Sequence, residues 1–134
     1  MIKIIMGLKG MGKTKSLIEN VNNDAKNNQG NIVCIEKGTK LRYDISHTVR
    51  LISAEEYGIN SYEKFYGLIC GLVAGNYDIN KIYIDSILKI CNSNDINEFE
   101  KFLNILTTSN INTEIIMTAS YDETTVSENI KKYF

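Results

Sequence analysis

Residues 7–14 read Gly7-Leu-Lys-Gly-Met-Gly12-Lys13-Thr14, and no other stretch of the 134-residue chain constrains its fold as tightly. Glycines at these positions let the backbone curl so that successive N–H groups point into one concavity, a geometry that holds phosphate oxygens. Lys13 places a point charge beside that concavity, and Thr14 offers a hydroxyl that suits Mg²⁺. A helix starting at this point adds the positive end of its dipole. With this chain's own glycine, lysine and Ser/Thr frequencies, such a match arises by chance about once in a hundred chains.

The flanks supply the context that the loop requires. Ile2–Met6 is an apolar run ending at a glycine, as a buried strand would. Residues 13–29 place Leu17, Ile18, Val21 and Ala25 on one helical face, and Gly30 supplies a left-handed stop. Four further runs suggest strands: 31–36, apolar on both faces, then 48–52, 79–85 and 113–120. Between them, Ser53 with Glu56 forms a capping box for a short helix that Gly58 ends. Asn60 can cap a longer helix carrying Phe65, Leu68, Ile69, Leu72 and Val73 at helical spacing. Asp95 with Glu98 opens another helix with Phe99, Phe102, Leu103 and Leu106, and Thr125 with Glu128 starts a last one. Strands alternating with helices give an α/β fold: three layers, a mostly parallel sheet of four to five strands with helices on both faces.

The loop resembles the phosphate-binding loop of the P-loop NTPase superfamily. That resemblance implies phosphate contacts from Gly7, Leu8, Lys9, Gly10, Met11, Gly12, Lys13, Thr14 and Lys15, with ATP as ligand or substrate and Mg²⁺ as cofactor. Such proteins hold Mg²⁺ with a second acidic residue at the end of a separate apolar strand. Asp85, after Lys81-Ile-Tyr-Ile84, fits that Walker B position, although Lys81 interrupts the apolar run. The same carboxylate could instead cap a helix starting at Ser86. Many P-loop ATPases carry a glutamate directly after the Walker B aspartate; here that position is Ser86. RecA-like ATPases place theirs at the end of the strand following the P-loop helix, and Glu36 stands there. Glu36 is therefore a candidate for orienting a hydrolytic water, against the plainer reading of a solvated charge ending a strand. Ser120, closing Thr118-Ala-Ser120, is a candidate sensor of the terminal phosphate. One strand-helix unit between the P-loop and Walker B strands resembles the RecA/AAA-like division more than the nucleotide kinases.

Composition narrows the alternatives. Fifteen basic and 16 acidic residues leave a net charge of −1, with no excess favouring nucleic acid or acidic lipid. Cys34, Cys70 and Cys91 form no C-x-x-C pair, so they read as buried apolar residues in a reduced, cytoplasmic, single domain without a membrane span. Arg42 and Arg50 are the only arginines, hence the only candidates for an arginine finger, whether in cis or in trans, and the lysines outside the loop read as solvated surface. His47 lies in a polar segment, Arg42–Thr48, with a faint likeness to the substrate loop of thymidine kinases. Those enzymes usually carry a zinc-binding cysteine cluster, which this chain lacks. Asn110-Ile-Asn-Thr is not a guanine-recognition motif, which favours ATP over GTP. Three functions follow as expectations: a small Mg-dependent ATPase, a nucleoside or small-molecule kinase, or a non-catalytic module whose protein partner, or second copy, senses the nucleotide.

Overall fold

Alternate residues of the central strands face opposite ways, and the two sets of side chains build two separate cores. In the computed structural model, which describes residues 1–27 and 30–134, five strands form one sheet: β1 (Ile2–Gly7), β2 (Asn31–Glu36), β3 (Arg50–Ser53), β4 (Ile79–Ile84) and β5 (Glu114–Ser120). Their spatial order is β1-β5-β4-β2-β3, and every pairing is parallel. Parallel neighbours require crossovers: α1 (Lys13–Lys26) lies between β1 and β2, turns over residues 37–49 join β2 to β3, α2 (Tyr62–Gly75) lies between β3 and β4, the short α3 (Ile87–Ile90) and α4 (Ile96–Thr108) lie between β4 and β5, and α5 (Glu128–Lys131) follows β5.

Ile32, Cys34, Tyr83 and Ile116 face Leu17 and Val21 of α1, together with Leu41, Ile45 and Val49 from the connection before β3. Val33, Ile35, Ile82, Ile84, Ile115 and Met117 face the opposite layer, built from α2, α4 and the short helices. Cover on both sides explains why the middles of these strands are apolar on both faces. The three-layer α/β fold expected from the sequence is therefore present, with a sheet of five strands. β5 lies between β1 and β4, so the loop strand and the Asp85 strand are not neighbours.

Several local expectations shift. Asn28 and Gln29, assigned to the first helix from the sequence, lie outside the described residues; Lys26 is the last residue of α1, with Asn27 as its cap. Ser53 does not cap the next turn: its hydroxyl donates to the Lys37 carbonyl, and residues 55–57 form a 3₁₀ turn closed by left-handed Gly58. Ser61, not Asn60, caps α2 by accepting the Lys64 amide. Asp95 caps α4 through the Asn97 amide, while Glu98 accepts from Ser93 instead of completing a box. α5 begins after Ser127, not at Thr125. These side chains have competing partners: the hydroxyls of Ser53 and Ser127 bond the Lys37 carbonyl and Glu100 instead of a helix terminus, and Ser61 wins over its neighbour Asn60. Cys34 and Cys91 are buried as expected, with burial pushing their thiols up to about 12, but Cys70 is only partly covered.

Candidate functional site

In a parallel sheet all strands point the same way, so their carboxyl ends form one edge. Gly7 pairs with Ser120, Ile84 with Met117, and Glu36 with Ser53, which sets loop 8–12, Asp85, Glu36 and Ser120 along that edge. They open into a cleft of roughly 930 Å³ that also contains Lys13, Thr14 and Lys15.

The loop takes its shape from glycine. Gly10 and Gly12 have φ of +88° and +79°, in the left-handed region that side chains with a Cβ rarely adopt. Gly12 is also the residue preceding α1, and its carbonyl accepts the Ser16 amide. Lys13 Nζ donates to the Leu8 carbonyl at 2.8 Å, folding the ammonium back across the loop. Leu8 and Met11 project outward, 60% and 73% exposed.

Across the cleft, Asp85 follows β4, held by its own amide donating to the Ile35 carbonyl at 2.9 Å. Its Oδ1 accepts from Thr14 Oγ1 at 3.0 Å and from Thr118 Oγ1 at 3.1 Å. Residues 71 apart in sequence thus meet through the pair that the sequence singled out. Asp85 does not cap α3, which has no side-chain cap. Thr118, only 1% exposed, also accepts the Ser86 amide at 2.7 Å. Ser86 itself sits at φ +62°, an uncommon conformation outside glycine. The Thr118 bond draws its amide toward the same centre. Ser120, two residues on along the same face of β5, lines the cleft but is exposed. Sequence reasoning chose Ser120 and passed over Thr118, although a hydroxyl at either position would share that face.

Glu36 is not a solvated strand-end charge. It is 4% exposed, and its carboxylate accepts the Leu41 amide at 3.2 and 3.3 Å, one distance to each oxygen. Burial pushes its carboxyl above the ordinary 4.5; the Leu41 and Lys40 amides pull the other way, and the Asp85 charge adds to the rise. The lysines are less scattered than they looked: Lys37, Lys40 and Lys89 line the cleft with Lys9, Lys13 and Lys15. A chain of net charge −1 thereby gathers six ammonium groups around one opening, partly offset by Glu36, Asp44, Glu55 and Asp85. Arg42, Arg50 and His47 are exposed and do not line it.

No protein-family model and no curated protein matches this sequence. Among solved structures it is similar to the flagellar accessory protein FlaH from Methanocaldococcus jannaschii, with a TM-score of 0.61 and 14% identity. The match covers 98% of this chain and 65% of that one. That likeness shows the fold. It is a three-layer α/β fold built on a parallel five-stranded sheet. The chain spans about two thirds of the length of the FlaH chain, the 65% just given. Among the described residues, no helix is long and apolar enough to cross a membrane.

Proposed function

We propose that this chain is a nucleoside-triphosphate-binding protein that takes Mg·ATP in the cleft beside residues 7–15 and acts as a minimal RecA-like ATPase. One observation carries the reading: a glycine-shaped loop opening α1, with Thr14 hydrogen-bonded to Asp85 at 3.0 Å. The loop amides and Lys13 bind the β- and γ-phosphates. Thr14 and Asp85 offer converging hard oxygen donors, a set that suits Mg²⁺ completed by water and phosphate oxygens. The ion, when bound, neutralises phosphate charge. Glu36 orients the attacking water, and Thr118 holds Asp85 at the angle that Thr14 meets. Catalysis in such a site comes from positioning and charge stabilisation.

Titration calorimetry tests the binding. Mg·ATP binds the wild-type chain, and Lys13→Ala weakens it by about a hundredfold or more, as expected when a phosphate cradle is deprived of its ammonium group. Unchanged affinity in that variant would remove the assignment.

A second reading, a nucleotide-dependent interaction module, has its own support: the Glu36 carboxylate is engaged by Leu41, and Leu8 and Met11 stand exposed on the loop where a protein partner or second copy would meet them. Turnover separates the two. Phosphate release that Glu36→Gln lowers by about a hundredfold supports hydrolysis; no release from either protein supports the module.

A further inference from the structure

Phosphoryl transfer spreads negative charge over the terminal phosphate, and P-loop enzymes meet it with a cation beyond the loop lysine. In this chain the arginines are poorly placed for that task. Arg42 is exposed, its guanidinium 5.3 Å over the Tyr43 ring. Arg50 begins β3 opposite Val33, three residues back from the level of Glu36, or about 10 Å below the carboxyl edge.

The segment directly after Glu36 is different. Lys37, Gly38 and Lys40 line the same cleft as Lys13, Thr14 and Asp85. Both ends of that segment are fastened. On one side the Glu36 carbonyl accepts the Ala54 amide at 2.8 Å, and the Lys37 carbonyl accepts the Glu55 amide at 2.9 Å. On the other, Leu41 is buried in the core against α1, and its amide is held by the Glu36 carboxylate. Two lysines thus ride on a five-residue loop that one buried side chain closes on itself. A pre-set loop spares the backbone share of the ordering cost, leaving the lysine side chains to be fixed when they meet an anion.

We propose that Lys37 and Lys40 supply, in cis, the charge that contacts the terminal phosphate of the bound nucleotide, and that Glu36 is the positioning residue that holds their loop. The inference rests on the nucleotide reading of the cleft and adds which residues distinguish a triphosphate from a diphosphate. Lysine at this place does the work otherwise given to an arginine: it is a strongly hydrated point charge without the bidentate fork, which suits contact with a single phosphate oxygen.

The test is a pair of affinities measured by calorimetry, for Mg·ADP and for Mg·AMP-PNP, a triphosphate that is not hydrolysed. Lys37→Ala/Lys40→Ala is expected to weaken AMP-PNP about tenfold while changing ADP by less than about twofold. Glu36→Ala, which frees the loop, lowers the same preference; Glu36→Gln, which can still accept the Leu41 amide, restores it. Melting curves establish that each variant is folded. An unchanged preference in the double lysine variant overturns the inference, as does an equal loss for both nucleotides. A loss of preference in Arg42→Ala or Arg50→Ala with the lysine variant intact also overturns it. Wild-type protein that binds neither nucleotide overturns the cleft reading and this inference together. Binding of both that Lys13→Ala abolishes keeps the cleft reading standing whatever the lysines do.

Discussion

Glu36 is buried beside Asp85 and closes the loop that follows it, so its ionised form is expensive to keep. Because its folded-state value lies above the ordinary 4.5, the native chain binds more protons than the unfolded chain between those two values. Stability therefore falls as pH rises through that window, and at neutral pH the buried charge is a net cost. Glu36→Gln keeps an acceptor for the Leu41 amide and removes the charge. It is expected to raise Tm by a few degrees at pH 7, with the gain shrinking toward pH 4. Thermal melts across that range check this, and a gain that grows toward acid would contradict the sign. The same variant is expected to lose turnover, the usual opposition between a stable site and an active one. The residue's location was legible in the sequence, since a carboxylate ending the strand after α1 must reach the carboxyl edge. Its burial was not, because that depends on Leu41 turning back five residues later.

Elements were easier to find than their ends. All five strands and the faces of α1, α2 and α4 follow from apolar spacing, which burial enforces over many residues at once. A cap rests on a single hydrogen bond among competing hydroxyl and amide side chains, which is why Ser61 displaced Asn60, while Ser127 precedes α5 with its hydroxyl donating to Glu100 instead of capping. Glycine at element ends was more reliable, and Gly30 shows why. Its φ is +92°, and a Cβ there would lie 2.0 Å from Asn80 Oδ1, the atom that accepts the Asn31 amide as β2 begins. Gly58 also has positive φ, +66°, but open space around it. Gly30→Ala should therefore cost more than Gly58→Ala. Left-handed strain alone is about 1–2 kcal/mol in each case, and Gly30→Ala additionally pushes Asn80 off the Asn31 amide. Urea unfolding of the two variants measures the difference; equal losses would mean that Asn80 simply moves aside.

At the scale of the whole molecule, Lys81 changes meaning. In the sequence it spoils an apolar strand; in the structure its ammonium reaches Asp24 of α1 at 2.9 Å, with Glu114 Oε2 at 3.8 Å. Tyr83 donates to the same Asp24 oxygen. Burial works to raise the Asp24 carboxyl, yet the bonds from Tyr83 and Lys81 hold it below the ordinary 3.8. Its contribution is thus complete above that value and fades as pH falls through the lowered one. Asp24→Ala is expected to cost about 1–3 kcal/mol at pH 7, and less in acid, by denaturant titration at both pH values.

α1 consequently is tied at both of its ends to β4 and the residue that follows it, through Thr14 with Asp85 and through Asp24 with Lys81 and Tyr83. A rod riveted to a plate at two points cannot slide along it. A nucleotide taken up as proposed would therefore meet α1 and the end of β4 as one joined wall of the cleft.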